Sequence, residues 1–518
     1  MTAMNPLPKA PVGSPAAPLS RLSFALALAA ILLLAVGVRV YGLTATAIWC
    51  DEASSIITSQ YNIPDLLFHA AHDVHPPLYY LLLHGWMALF GEGLFAVRAL
   101  SMVIGVAIVG VGILLVRQLA SPRATLLAGL LLALFPFTVR YSQEVRMYSL
   151  LTLVLLAATL ALLHWLREPR RNGWLALYVV LMTASFYTHY FTIFCVLVHW
   201  LHVGLRSLRR DAIFKPLWTR RWWLANVAIA LLFMPWVPKL YDLLMHMAQL
   251  EAGNDVGWIS PVTVWSLPSA MWTFWTLDDG QALPGWLFLL LPAVLVAAAL
   301  QVARADRSPQ RFHRFLLLYT FGPVVVVFLV SLISSVMVER YLAFAAIGLP
   351  ILLALCIEQL RQRSRLLALV LLAAVLVVDG VGLKEVYRVD EPQFDAQVRY
   401  INQHYQPGDT VVISDLYWYF TYVYYNSQPL VPKLFTPPRS EGGMGRPNAY
   451  GFGTLVDQQG PDIYVDGLAQ LPAHDNRIWL VGASGLDEEF KHIPPSWQLL
   501  DDQKHPDSEV RLYMARAH

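Results

Sequence analysis

Nine long apolar runs dominate the chain, near residues 22–43, 96–116, 124–139, 147–166, 222–238, 283–302, 315–335, 341–360 and 366–383. Most reach the roughly 20 residues that carry a helix across the hydrocarbon core of a bilayer. Such runs leave few solutions. Inside lipid every backbone N–H and C=O must be satisfied by its own segment or a neighbour, so the runs must be helices in a bundle. Composition agrees, with 57% hydrophobic and 14% charged residues, against about 25% charged in a soluble domain. A net charge of +2 argues against a nucleic-acid binder.

Two stretches are ambiguous in length. Residues 76–90 are too short for a comfortable span, and Trp174 to Leu205 is too long for one helix and tight for two. The positive-inside rule resolves both. Basic loops lie at 117–123, 167–171, 206–221, 304–314 and 361–365, and acidic or charge-poor loops at 51–73, 141–146, 188–189, 241–283 and 334–339. If 76–90 lies in the interface and 174–205 crosses twice, every basic loop is cytoplasmic. This predicts a polytopic α-helical membrane protein of about 11 spans, N-terminus inside and C-terminal region outside.

Residues 1–20, rich in Pro, Ala and Ser, read as a disordered cytoplasmic tail, and the first run as a retained signal-anchor. The membrane domain runs over 21–384, with external loops 44–95 and 239–282 carrying interfacial helices. Tyr79, Tyr80 and Trp86 in the first loop, and Trp258, Trp265, Trp272 and Trp275 in the second, read as headgroup-level belts. Residues 385–518 turn polar and read as a soluble extracytoplasmic α/β domain. A helix is expected over Phe394 to His404, a turn at Pro407-Gly408-Asp409, and strands at 410–413, 478–481 and 510–514. The cysteines, Cys50, Cys195 and Cys356, all lie within or beside apolar runs, which leaves this domain without a disulfide framework.

The carboxylates Asp51 and Glu52 end the first span, where such a pair is costly unless water, a partner or a substrate meets it. Loop parity brings Asp73, His75, Glu144, Arg146, His189, Glu339 and Arg340 to the same face. Each has a bland reading: His75 as a helix cap before two prolines, His189 as a turn histidine, Glu144 with Arg146 and Glu339 with Arg340 as local ion pairs. Their convergence is the functional signal.

Asp51-Glu52 after the first span, His75-Pro76-Pro77-Leu78-Tyr79-Tyr80, Tyr141 to Tyr148 and Glu339-Arg340-Tyr341-Leu342 resemble the bacterial C-type glycosyltransferases. That group includes protein O-mannosyltransferases and lipid A aminoarabinose transferases, and the resemblance spans roughly residues 20–385. It implies a C-type glycosyltransferase fold in the bacterial inner membrane, with a polyprenyl-phosphate sugar donor and an acceptor hydroxyl of a glycan, lipid or protein on the periplasmic side. It also implies that Asp51 matches the catalytic aspartate. One departure stands out. Aminoarabinose transferases carry Glu-Lys-Pro where this chain has Val74-His75-Pro76, so the lysine expected near the donor phosphate is missing.

The chemistry is compatible. A phosphate leaves as an anion, so the reaction needs a base for the acceptor hydroxyl and positive charge at the leaving group. Asp51 would be the base, with Glu52 positioning substrate or capping a loop. Arg340, Arg146 or Arg140 would meet the phosphate, since guanidinium matches phosphate oxygens bidentately. A divalent metal on His75, Glu144 or His189 is an open alternative. Tyr79 and Tyr148 would flank the lipid tail, and Tyr341 joins the substrate-binding set. The rivals are a transporter or flippase, which requires charges deep in several spans, and a structural subunit. The aromatic run Tyr417, Trp418, Tyr419, Tyr422, Tyr424 and Tyr425 reads either as a buried helix face or as a platform for acceptor sugars.

Overall fold

The computed structural model describes residues 20–516, apart from 211–213, 253–258, 309–310, 390–392, 439–444, 448–449, 458–459 and 473–475. Residues 1–19 of the tail expected over 1–20, and Trp258, lie outside the described residues.

The membrane part is a helical bundle. Among the described residues, eight helices are long and apolar enough to cross a bilayer: Arg21–Val40, Leu94–Leu119, Tyr148–Arg167, Arg220–Ala248, Gly285–Arg304, Phe312–Ser331, Glu339–Arg363 and Arg365–Val386. A ninth span is broken: Pro122–Leu134 and Pro136–Ser142 meet at 53°. Pro136 can neither donate to the preceding turn nor avoid its carbonyl, so the helix must bend there. Arg39, the one charge of the run 22–43, is fully buried and donates to the carbonyls of Ala133 at 3.0 Å and Ala35 at 3.3 Å. It thus satisfies a carbonyl beside the break. The stretch 174–205 forms two helices, Asn172–Phe186 and Thr192–Leu208, joined by a turn at 187–191. Large apolar side chains such as Leu26, Leu33, Leu369 and Val377 are exposed on the outermost spans, as a lipid solvent requires.

Three of the five basic loops are bridged to one another, Arg167 donating to Gln118 at 2.7 Å and Arg221 to the Pro169 carbonyl at 2.9 Å. The acidic loops meet around Asp51.

Residues 50–90 fold into three short helices, Cys50–Gln60, Ile63–Ala71 and Leu78–Phe90. Tyr79 and Tyr80, expected at the interface, are 0% and 2% exposed. Their hydroxyls bond Ser101 Oγ at 2.9 Å and Asp73 Oδ2 at 2.7 Å, so this end of the helix faces protein. Trp275 departs from the belt reading likewise: it is buried and its indole N–H donates to Asp379 Oδ1 of the last span at 2.8 Å. The indole found a buried carboxylate, which outweighs a wet headgroup.

Beyond the last span a six-stranded sheet forms, in the order β3-β2-β1-β4-β6-β5. The strands are β1 (Thr410–Ile413), β2 (Lys433–Phe435), β3 (Tyr464–Val465), β4 (Asn476–Ala483), β5 (Gln498–Lys504) and β6 (Ser508–Ala515). β1 to β4 pair in parallel, and β6 joins β4 and β5 antiparallel. The expected strands are β1, β4 and β6. The others are too short or, like the charged edge strand β5, too polar for the pattern to reveal. The aromatic helix Leu416–Tyr425 leans on Cys50–Gln60: the Ile48 N–H donates to the Tyr425 hydroxyl at 2.8 Å, and the Tyr424 hydroxyl to the Glu92 carbonyl at 3.1 Å.

Candidate active site

Asp51 and Glu52 lie in the first turn of Cys50–Gln60, at the positive end of its dipole. Successive side chains of a helix diverge by about 100°, and here they enter opposite environments. Glu52 is fully buried and bidentate on Arg98, Nε–Oε1 2.9 Å and Nη2–Oε2 2.6 Å; its Oε1 also accepts the Val145 N–H at 2.9 Å. Arg98 Nη1 holds the carbonyls of Leu43 and Thr46 at 3.0 and 2.9 Å. This pair staples the loop after the first span, the helix of Asp51 and the turn at 145 into one unit. The sequence reading passed over Arg98 as part of an apolar run. An arginine at such a place is itself a signal, because it must be paired.

Asp51 is held loosely. Its Oδ2 lies 3.5 Å from Arg340 and 3.8 Å from Arg146, beyond hydrogen-bond length, and its side chain is 14% exposed. Arg146 is anchored instead through Nη1, on the Asp51 carbonyl and Ser55 Oγ, each at 3.0 Å. Its Nη2 approaches His75 Nδ1 at 3.5 Å, and its guanidinium lies 5.8 Å from the Tyr148 ring centre. The rings of His75, His189 and Tyr148 gather around Tyr341, at 5.9, 4.8 and 5.9 Å.

This cluster holds unsatisfied polar atoms. Among the described residues, His75 Nε2, His189 Nε2 and Arg146 Nε are buried without a protein partner, and the Tyr148 hydroxyl faces the Arg146 guanidinium. His189 Nδ1 accepts the Phe191 N–H at 3.1 Å, so in the neutral ring Nε2 carries the hydrogen and is an unused donor. Burial, reinforced by His75 and Arg146, pushes the His189 pKa well below its ordinary value. Burial also lowers His75, with Asp73 opposing. Asp73 itself lies low: burial would raise it, but His75, Tyr80 and Arg146 outweigh that.

Arg140 stands on the second half of the broken span and Glu144 in the turn after it, paired Nε–Oε1 at 2.8 Å, and Glu144 Oε2 is buried without a partner among the described residues. Burial raises the Glu144 pKa, with Arg140 opposing. Both line a cavity of about 500 Å³ that also touches Trp49, Arg340 and Tyr417. Among the described residues, no three His, Cys, Asp or Glu side chains are placed to hold a metal; Glu144 faces Arg140, away from the His75–His189 pair. Tyr79 packs inside the protein on Ser101. Of the residues singled out in sequence, Asp51, His75, Arg146, Tyr148, His189, Arg340 and Tyr341 thus form one group, Arg140 and Glu144 line the adjoining cavity, and Glu52 and Tyr79 sit behind.

The fold is that of the C-type membrane glycosyltransferases. Residues 74–238 match the family model described as dolichyl-phosphate-mannose-protein mannosyltransferase. Among solved structures, the chain is similar to the ArnT of Cupriavidus metallidurans in the apo state, with 14% identity, a TM-score of 0.63, and coverage of 95% of this chain and 98% of that one. The same protein bound to undecaprenyl phosphate matches with a TM-score of 0.62 at 14% identity, over the same shares. The Archaeoglobus fulgidus oligosaccharyltransferase, in complex with Zn and sulfate, matches with a TM-score of 0.54 at 14% identity, covering 88% of this chain and 68% of that one. A comparison with curated protein sequences returns no match. The resemblance seen in the motifs therefore holds for the fold.

Proposed function

We propose that the protein transfers a sugar from a polyprenyl-phosphate donor to an acceptor hydroxyl on the periplasmic face of the bacterial inner membrane. The observation that carries this reading is Asp51, loosely held between two arginines beside a set of buried, unpaired donors. The undecaprenyl phosphate bound by the similar ArnT supports the lipid carrier.

Asp51 accepts the proton of the acceptor hydroxyl as its oxygen attacks the anomeric carbon. The bond from that carbon to the phosphate oxygen breaks, and the lipid phosphate departs with the electron pair. Arg146 and Arg340 receive the growing negative charge. His189 Nε2–H and the Tyr148 hydroxyl donate to the same phosphate, in place of the lysine absent at position 75. No strong acid is required, because phosphate is a good leaving group. Glu52 positions Asp51 through Arg98.

The test is single-turnover sugar transfer in nanodiscs. Asp51→Asn keeps shape and removes the base, and the rate falls about two to four orders of magnitude with donor binding retained. Near-parental turnover in that variant overturns the assignment.

A further inference from the structure

The cavity beside Asp51 is only partly a product of the membrane domain. Trp49, Arg140, Tyr141, Glu144 and Arg340 line it from the bundle, and Tyr417 from the C-terminal domain. At about 500 Å³ it falls in the range of small-ligand sites. Carboxylates of Glu52, Glu144 and Glu385 lie among its arginines, so it is a poor second phosphate site. The anion charge belongs on the Arg146 side.

Tyr417 is singular within its aromatic run. Tyr419, Phe420 and Tyr422 are buried in the domain. Tyr424 and Tyr425 spend their hydroxyls on docking to Glu92 and Ile48. Tyr417 remains 49% exposed. Its placement is fixed: Asp415 caps the helix through the Trp418 N–H at 3.2 Å, and the Leu416 carbonyl accepts from Cys50 Sγ at 3.7 Å.

The cavity therefore joins an exposed aromatic face, a buried carboxylate oxygen with no partner on Glu144, and the half-exposed guanidinium of Arg140. A sugar ring supplies all the complements. Its C–H face stacks on the aromatic ring, its hydroxyls donate to the carboxylate, and its oxygens accept from the guanidinium. We propose that this cavity is a sugar-ring subsite, closed by the C-terminal domain, in which Tyr417 stacks on the ring and Glu144 Oε2 and Arg140 hold its hydroxyls. The inference rests on the transferase reading above. The ring belongs either to the donor or to the acceptor.

The experiment titrates full-length protein, in a detergent without a sugar headgroup, with mannose, glucose, galactose, arabinose and N-acetylglucosamine. Tryptophan fluorescence is the readout, since Trp49 lines the cavity. At least one sugar binds saturably. Tyr417→Ala weakens it about two- to tenfold, the worth of one aromatic stacking contact. Tyr417→Phe preserves it, and neither substitution moves the melting temperature. Saturable binding of no sugar, or equal binding by parent and Tyr417→Ala, overturns the proposal. Undecaprenyl phosphate binding is measured in parallel: its absence removes the transferase reading, whereas its presence without sugar binding removes only this inference. Preloading distinguishes the two sources. If the undecaprenyl phosphate ester of the bound sugar displaces the free sugar and undecaprenyl phosphate alone does not, the subsite holds the donor ring. If free sugar still binds, it holds the acceptor.

Discussion

Adjacent carboxylates divide the work at this site. Glu52 satisfies both oxygens on Arg98 and Val145, and neither partner is in contact with solvent. Removing one member of a buried pair leaves the other uncompensated, at a cost of about 3–5 kcal/mol. Glu52→Ala is therefore expected to lower the melting temperature strongly, and Glu52→Gln less; an unchanged melt in both would separate the staple from stability. Arg340 offers the complementary case. Its side chain is 23% exposed and sits beside Asp51, so Arg340→Ala leaves the fold intact. A lost charge-assisted hydrogen bond is worth about 1.5–3 kcal/mol, so affinity for undecaprenyl phosphate falls about ten- to a hundredfold in a binding assay; parental affinity would move the phosphate to Arg146. The buried histidines make a pH prediction. Both have lowered pKa values in the fold, so the unfolded chain takes up protons first, near its ordinary pKa of about 6.5. Stability then falls as pH drops below that value. Thermal melts between pH 7 and pH 5 should show a decline that His189→Gln reduces; a decline of equal size in that variant assigns it elsewhere.

Among the elements, the broken span Pro122–Leu134 and Pro136–Ser142 decides the most. It aims Arg140 and Glu144 into the cavity, and its bend is held from two sides. Arg39 meets the carbonyl of Ala133. The last span packs close at Gly382, where a Cβ would run into the Trp275 carbonyl and the Pro136 ring. Gly382→Ala must push that span away, and overpacking costs about 1–3 kcal/mol. The expected result is a lower melting temperature together with reduced transfer. A normal melt and normal rate would show that the contact relaxes freely. The Pro136 break was visible in sequence only as a proline within an apolar run. The close approach at Gly382 was not visible, because a glycine's role depends on what faces it.

For the whole molecule, the separation of basic from acidic loops carries the orientation. A reporter fused after His518 that is active only in the cytoplasm should stay silent, and its periplasmic counterpart should report. A cytoplasmic signal would put Asp51 on the wrong face for a lipid-linked donor delivered outside. The C-terminal sheet is not a separate appendage, since its aromatic helix touches the helix of Asp51 and contributes Tyr417 to the cavity.

Length, hydropathy and loop charge were sufficient for the bundle, for the split of 174–205, and for gathering Asp51, His75, Glu144, Arg146, His189 and Arg340, because the bilayer restricts backbone and charge so severely. The strands β1, β4 and β6 were legible from their β-branched runs. Tertiary structure alone separated Asp51 from Glu52, since only the position of Arg98 across a gap of 46 residues locks one carboxylate and leaves the other loose. It alone turned Tyr79 and Trp275 inward, and it alone chose Tyr417 from a run of six aromatics. Each of these depends on which partner fills the space opposite a side chain, and a linear pattern holds no record of that.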